Sequence, residues 1–172
     1  ITQGKLCDMA RKWNLKFDGR KGAISFLERL EELQRAYGIE DQHLLNLMPE
    51  LFTGTALLWY RNHHSQWSSW RGFLDNFQES FLPLNYHRHL RNEIEARTQG
   101  PGEKARDYFE ALGTLMRRYG KLSEDEKNER FFQNLRPEYR MYVRMENATD
   151  RSTLLKLAVE FEETLEENSK YR

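Results

Sequence analysis

The turn Gly100-Pro101-Gly102 and the apolar stripe after it constrain the fold of this chain more than any other stretch. Proline presets the backbone at the second turn position and Gly102 accepts a positive φ at the third, so the chain must reverse here. Glu103 then falls at the predicted start of a helix, where a carboxylate suits the exposed amides and the positive end of the dipole. The residues that follow at three- and four-residue steps form one apolar helix face: Ala105, Tyr108, Phe109, Leu112, Leu115, Met116 and Tyr119.

Apolar residues at helical spacing predict about five helices on each side of Pro83, which ends the last helix of the first half. Only residues 13–17 alternate with the period of an extended segment, and a turn at Asp18-Gly19 closes it. The sequence therefore predicts an all-α protein of two small helical lobes joined by a short linker. Residues 1–83 form the predicted N-terminal lobe and residues 84–172 the predicted C-terminal lobe.

Helix boundaries are predicted from caps and prolines. Ser68 or Ser69, Ser123 and Ser152 are candidate N-caps, each placed just before an apolar helical run. Pro49 is expected to kink or break its helix, because proline removes a helical hydrogen bond.

Charge and cysteine content exclude several classes of protein. Of the 172 residues, 27 are Lys or Arg and 27 are Asp or Glu, so the basic excess typical of a nucleic-acid-binding domain is absent. The single cysteine, Cys7, excludes an internal disulfide and a Cys-rich zinc site and fits a reducing compartment. No apolar run approaches the roughly 20 residues that span a bilayer. We therefore expect a cytoplasmic protein.

Catalytic, metal-binding and cofactor-binding patterns are missing from the sequence. His63 and His64 are adjacent, and His87 and His89 lie about 200° apart around a helix, so neither pair shares one helix face. Cys7 has no motif-level histidine partner, and no glycine-rich phosphate loop precedes a lysine. The sequence predicts a protein that is not an enzyme and has no cofactor.

The stretch from Gln99 to Phe109 resembles the major homology region of retroviral and retrotransposon capsid proteins. That pattern is a Gln-Gly pair, an acid three residues after the glycine, and aromatic residues one turn beyond. Gln99, Gly100, Glu103, Tyr108 and Phe109 match it. The resemblance implies that these residues tie a turn and a helix into one hydrogen-bonded unit in the second lobe.

One departure from that pattern concerns its arginine. The retroviral version carries an arginine three residues after the position of Tyr108, where this chain has Ala111. Either the hydrogen-bond network is smaller here, or Arg106 substitutes from the previous turn.

The order of motifs in the first half resembles the Gag region of gypsy-type long-terminal-repeat retrotransposons, and equally the Arc-like Gag proteins descended from them. The motifs are Phe17-Asp18-Gly19, Phe26-Leu27, Leu30-Glu31, residues 54–60, residues 70–73 and Phe81-Leu82-Pro83. The resemblance implies a structural capsid subunit that self-assembles into virus-like particles enclosing RNA. Head-to-tail contacts of the N-terminal lobe form rings in that scheme, and a two-fold contact of the C-terminal lobe links them. Assembled particles are expected to be released in extracellular vesicles.

The predicted helix from Ser123 to Leu135 corresponds by position to the two-fold contact of that family. The adjacent aromatic residues of this helix are the candidate anchors, and the alternative is that both are buried between helices. The candidate interface residues are Glu124, Lys127, Asn128, Phe131 and Phe132.

A second function, from a different class, is a module that binds peptides or partner helices without building shells. The resemblance to Arc-like proteins allows a peptide groove in the N-terminal lobe, with strand-like addition of the extended segment. The alternative is a segment that packs permanently on its own lobe. The candidate groove residues are Trp13, Leu15, Phe17, Trp59 and Tyr60.

Direct RNA binding by these residues is expected to be weak. Two arginine clusters could contact phosphates, but four glutamates interleave with them, and the resemblance implies that RNA is held mainly by a segment outside this sequence. The clusters are Arg88/Arg91/Arg97 and Arg136/Arg140/Arg144, and the glutamates are Glu93, Glu95, Glu138 and Glu146.

Overall fold

The computed structural model describes residues 1–171, and these residues form helices and no strands. The chain divides into an N-terminal unit, Ile1–Leu84, and a C-terminal unit that begins at Asn85. The prediction of an all-α fold is confirmed. Each unit has its own hydrophobic core, as expected when several amphipathic helices each bury one stripe.

Five helices build the N-terminal unit: α1 (Gln3–Arg11), α2 (Ala23–Tyr37), α3 (Asp41–Leu51), α4 (Gly54–His63) and α5 (Trp70–Phe81). Their core is mainly aromatic, because five phenylalanines lie in it with little or no exposure. These are Phe17, Phe26, Phe52, Phe73 and Phe77. At the predicted turn, Gly19 has a φ of 91°, and a Cβ there would lie 2.9 Å from the Ala56 nitrogen, so only glycine fits.

Five more helices build the C-terminal unit: α6 (Tyr86–Ala96), α7 (Ala105–Tyr119), α8 (Glu124–Gln133), α9 (Pro137–Val143) and α10 (Arg151–Lys170). The stripe predicted on α7 faces the core: Ala105, Tyr108, Phe109, Leu112 and Met116 are buried, and Leu115 and Tyr119 at its far end are half-buried. Gly102 has the positive φ expected of it, 74°. This turn delivers the chain to the start of α7.

Three local predictions need correction. Pro49 lies inside α3, which continues to the fully buried Leu51, so packing outweighs the lost hydrogen bond. Glu103 precedes α7 by two residues and does not belong to its first turn. Asp150, not Ser152, caps α10 by accepting a hydrogen bond from the Thr153 N–H. The caps predicted at Ser69 and Ser123 are confirmed.

Candidate functional site

Gln99, Gly100 and Glu103 form a closed set of hydrogen bonds around the turn before α7. The Gln99 side-chain amide donates to the Glu103 carbonyl oxygen at 2.8 Å, and the Gly100 N–H donates to Glu103 Oε1 at 2.9 Å. The Glu103 N–H donates back to the Gly100 carbonyl oxygen at 3.1 Å. The structure thus brings these three residues into one unit, which we call the homology turn.

Arg97 supplies the cation of the homology turn. Its guanidinium donates two hydrogen bonds to the Glu103 carboxylate, one of them to Oε1 at 3.1 Å. This hydrogen bonding holds the pKa of Glu103 below its usual value, although burial acts in the opposite direction. Arg106 lies elsewhere, beside Val159 and Glu163 at a shallow cavity against α10. The sequence groups Arg97 with Arg88 and Arg91 in an arginine cluster and does not indicate this role.

Asn134, the C-cap residue of α8, joins the homology turn to two other segments. Its side-chain amide donates to the carbonyl oxygens of Ile94 and Arg97, each at 2.9 Å. Its own carbonyl accepts the Gln99 N–H at 2.8 Å, and Gln99 Oε1 accepts the Arg136 N–H at 3.0 Å. Gln99 and Asn134 are only 5% and 3% exposed, so these bonds replace hydration that the fold removes. The sequence does not predict this role for Asn134. Its one indication is that an amide side chain lies among the apolar residues Phe131, Phe132 and Leu135.

The aromatic residues that follow the homology turn anchor α8. The Tyr108 hydroxyl donates to the Phe131 carbonyl oxygen at 2.8 Å, and burial raises the pKa of Tyr108. The Phe109 ring stacks on Phe131 with centroids 4.7 Å apart. On Phe131, the Arg151 guanidinium lies 4.6 Å from the ring centroid. Gly113 makes room for this arginine, because a Cβ there would come within 2.5 Å of its Nη2.

The candidate dimer residues of α8 have unequal access to solvent. Phe131 is fully buried, and Phe132 is half-buried against the same core. Lys127 pairs with the exposed Glu124 at 3.1 Å, and the Asn128 amide donates to a backbone carbonyl before α10 at 3.3 Å. The accessible part of this set is therefore polar, apart from Phe132, and its role in dimerisation stays a prediction.

A glutamate of α10 completes the first turn of α7. Glu162 Oε2 accepts the Ala105 N–H at 2.9 Å and the Tyr139 hydroxyl at 2.7 Å. Ala105 is the first residue of α7, so this carboxylate satisfies one of the amides that a helix start leaves open. Burial, with the bond to Glu162, raises the pKa of Tyr139 to about 12. Glu162 thus links the start of α7 and Tyr139 of α9 to α10.

In the N-terminal unit, the extended segment is already bound to its own unit. The Phe17 N–H donates to the Leu51 carbonyl oxygen at 3.0 Å, and the Phe17 carbonyl accepts the Thr53 N–H at 2.9 Å. These bonds form an isolated parallel bridge between Phe17 and Phe52. The Phe17 ring is 3% exposed, so it belongs to the core and presents no surface to a peptide.

The other candidate groove residues are half-buried. Trp59 packs on Phe81 with ring centroids 4.9 Å apart, and Phe81 packs on Phe17 at 5.1 Å, so the structure brings these three together. Trp13 instead packs on Tyr37 at 5.6 Å. The two remaining candidates pack against the same core from its edge: Leu15 and Tyr60. Peptide binding by this set stays a prediction.

Within residues 1–171, no group of three or more His, Cys, Asp or Glu side chains is placed to hold a metal ion. In the same part of the chain, no helix is both long enough and apolar enough to cross a membrane. Cys7 is a free, half-buried thiol.

Replacing Gln99 with leucine is expected to destabilise the C-terminal unit by about 2 kcal/mol, because the Arg136 N–H and the Glu103 carbonyl lose their partner. Leucine has a similar volume, so the cost reports hydrogen bonding more than packing. Hydrogen exchange of the α7 amides measures it without contribution from the N-terminal unit. The matched control is Gln133→Leu on the exposed end of α8, where we expect a change below about 0.5 kcal/mol. Equal losses of stability in Gln99→Leu and Gln133→Leu would contradict a stabilising role for the Gln99 hydrogen bonds.

Acid is expected to weaken the homology turn through Glu103. The pKa of this carboxyl is lowered in the fold from a usual 4.5, so its contribution is complete above that value and is lost as the pH falls through the folded pKa. The protection factors of the α7 amides, which correct for the slower intrinsic exchange in acid, should therefore fall less between pH 5 and pH 3, roughly the window this linkage defines, in Glu103→Gln than in the parent chain. Arg97→Gln should remove the same part of the pH dependence. If the α7 protection of all three chains had the same pH dependence, the Glu103 carboxylate would not be the group that stabilises the homology turn.

Comparison with known proteins gives the fold. No protein-family model matches the chain, and no curated protein sequence is similar to it. Among solved structures, the Drosophila dArc2 capsid matches with a TM-score of 0.72 and 20% identity, over 88% of this chain and 95% of that one. The Drosophila dArc1 capsid matches with a TM-score of 0.62 and 18% identity, over 89% and 96%. The protein described here therefore has the all-α fold of the Arc capsid structures.

Proposed function

We propose that the chain is a structural capsid subunit, not an enzyme, and that it self-assembles into virus-like particles that enclose RNA. The observation that supports this proposal is the match to the dArc2 capsid over 88% of the chain with a TM-score of 0.72. In this proposal the two units are capsid lobes, the first making rings and the second a two-fold contact. The homology turn holds the second lobe in the shape that the contact requires.

The physical character of the units agrees with assembly. Units of roughly 85 residues bury a smaller share of their surface than larger domains and are modestly stable alone. The formal net charge is zero, with 27 residues of each sign, so copies approach one another without strong repulsion. Contacts repeated around closed symmetry then add stability that a single unit lacks.

RNA enclosure is the finer part of the proposal. The arginine clusters are partly committed within the protein, since Arg97 binds Glu103 and Arg136 pairs with Glu138 at 2.8 Å. With glutamates interleaved between the remaining arginines, we assign RNA capture mainly to a segment outside these 172 residues. We expect this chain alone to bind RNA weakly, with a steep dependence on salt.

Electron microscopy of the purified chain at raised salt and high concentration tests assembly. Shells or tubes of regular diameter are the expected result, and sequencing of nuclease-protected RNA from particles of the full-length protein tests enclosure. A chain that stays monomeric under all these conditions would overturn the capsid proposal.

A peptide-binding module is the second candidate, and the parallel bridge in the N-terminal unit favours it. In the pairing of Phe17 with residues 51–53, an extended segment of the same chain binds through its backbone, which is the kind of contact that strand addition uses. Since its own segment occupies this position, a peptide would have to displace that segment or bind beside Trp59 and Tyr60. A persistent monomer with measurable peptide affinity by calorimetry would favour this function over assembly.

We place the protein in the cytoplasm and its assembled particles in released vesicles. The single cysteine of the sequence agrees with a reducing compartment. Fractionation of cells and of their vesicles, followed by immunodetection, tests this proposal.

A further inference from the structure

The connection between α9 and α10 contains a strained backbone position at Arg144. This residue directly follows α9 and has a φ of 54° and a ψ of 126°, whereas the left-handed region open to L-residues lies near a ψ of about 45°. Among residues 1–171, the other non-glycine residues with positive φ are Asn14 and Asn85, and asparagine tolerates such a backbone better than arginine does. Arg144 therefore holds a conformation that its Cβ disfavours.

Buried residues on both sides hold Arg144 in this conformation. Val143 before it is 1% exposed and Ala148 after it is 2% exposed, and one 3₁₀ turn, Met145–Asn147, joins them. The Arg144 side chain is exposed, so the burial of its neighbours, and not its own burial, determines the backbone here. We call residues 144–149 the α9–α10 joint.

A buried acceptor against the α9–α10 joint has no donor. The Asn128 side-chain amide of α8 donates to the Ala148 carbonyl oxygen at 3.3 Å, but Asn128 Oδ1 is buried and, within the described residues, accepts no hydrogen bond. Such an oxygen has lost its hydration without gaining a partner, which costs free energy. Backbone strain and an unpaired acceptor thus coincide at the joint.

Long hydrogen bonds tie the α9–α10 joint and the start of α10 to the neighbouring helices. Arg151, the first residue of α10, donates to the Phe109 carbonyl oxygen of α7 at 3.4 Å. This bond and the 3.3 Å bond from Asn128 of α8 both exceed the usual distance of about 2.9 Å. The joint can therefore rearrange with a small loss of hydrogen bonding.

We propose that the α9–α10 joint is a two-state switch and that the structure shows its strained state. In the second state Arg144 takes a negative φ, and a backbone N–H of the joint donates to Asn128 Oδ1. Relief of the strain and of the unpaired acceptor offsets part of what the first state gains by burying Ala148, so the two states lie close in free energy. This inference goes beyond the proposed function, because it concerns a rearrangement within the C-terminal unit whether or not copies assemble.

Relaxation-dispersion NMR of the isotope-labelled chain tests whether the second state exists. The backbone amides of the joint and the Asn128 side-chain amide should exchange between two states at one common rate, in the microsecond-to-millisecond range. The Gln99 side-chain amide, which is bonded within the homology turn, is the internal control and should show no such exchange. Absence of exchange at the joint, or the same exchange at Gln99, overturns the proposal of a local switch.

Arg144→Gly and Arg144→Ala separate the backbone strain from the loss of the guanidinium. Both variants lack the charge, but only alanine keeps the Cβ that is strained at this position. The Ala148 and Leu154 amides donate backbone hydrogen bonds, and their protection factors should be about fivefold or more higher in Arg144→Gly than in Arg144→Ala. Exchange between two states at the joint should also weaken in Arg144→Gly. Equal or lower protection in Arg144→Gly overturns the proposal.

Arg140→Gly and Arg140→Ala are the matched control pair inside α9. Both variants lose the bond from Arg140 to the Gln133 carbonyl oxygen, so their difference again reports the backbone alone. At this ordinary helical position glycine should be the less protected variant. The order of the two substitutions should therefore reverse between positions 140 and 144, and the same order at both positions would show that Arg144 is not strained.

The outcome for this switch can be separated from the outcome for assembly. If particles form in electron micrographs and the joint shows no exchange, the capsid proposal stands and the switch is wrong. If the joint exchanges and the chain never forms particles, the switch stands and the capsid proposal fails.

Discussion

Replacing Phe17 with alanine is expected to lower the free energy of unfolding of the N-terminal unit by about 3–5 kcal/mol. The ring contacts four other phenylalanines, with centroid distances from 5.1 to 6.0 Å, and is almost fully buried. Its removal leaves a cavity that the rigid neighbouring rings fill poorly. Tryptophan fluorescence in urea measures the change selectively, because all four tryptophans belong to this unit.

Leu15→Ala is the matched control, since Leu15 belongs to the same extended segment and is only half-buried. We expect it to cost clearly less than Phe17→Ala. If the segment were instead a removable occupant of a peptide groove, both substitutions would leave the stability of the unit nearly unchanged and would raise its affinity for added peptide.

Replacing Phe131 with alanine is expected to destabilise the C-terminal unit by about 3–5 kcal/mol. The substitution removes the ring that stacks on Phe109 and that makes the cation–π contact with the Arg151 guanidinium. Hydrogen exchange of α7 and α8 should show the loss, while tryptophan fluorescence of the N-terminal unit stays unchanged.

Phe132→Ala separates the two roles predicted for this aromatic pair. Phe132 is half-buried, so its loss should cost less stability than the loss of Phe131. Sedimentation equilibrium at high concentration then decides its part in self-association. An unchanged dimer dissociation constant would remove Phe132 from the interface, and a raised one would support the two-fold contact that the resemblance predicts on α8.

Helix positions were predictable because their signals are local. The stripe on α7, the caps at Ser69 and Ser123 and the positive φ of Gly102 each depend on residues within one or two turns. The errors at Pro49 and Ser152 are also instructive. In both places a competing local group or the packing of a neighbouring residue outweighed the propensity used for the prediction.

The hydrogen bonds around the homology turn were only partly predictable. The motif residues Gln99, Gly100 and Glu103 are close in sequence and could be found by resemblance. Asn134 reaches this turn from α8, 37 residues from Arg97, and such a contact leaves no periodic trace in the sequence. The role of Arg97 was not predictable for a different reason. An arginine at the end of α6, in a cluster with Arg88 and Arg91, equally suits a solvated basic face.

The buried amide pair of the homology turn has a consequence for changes of environment. Gln99 and Asn134 hold three backbone segments together through carboxamides, which neither gain nor lose protons under physiological conditions. The ion pair between Arg97 and Glu103, by contrast, does respond to acid, because protonation of the Glu103 carboxylate removes its charge. In an acidified compartment the ion pair between Arg97 and Glu103 therefore weakens first, while the hydrogen bonds of the Gln99 and Asn134 carboxamides keep the turn in its native conformation.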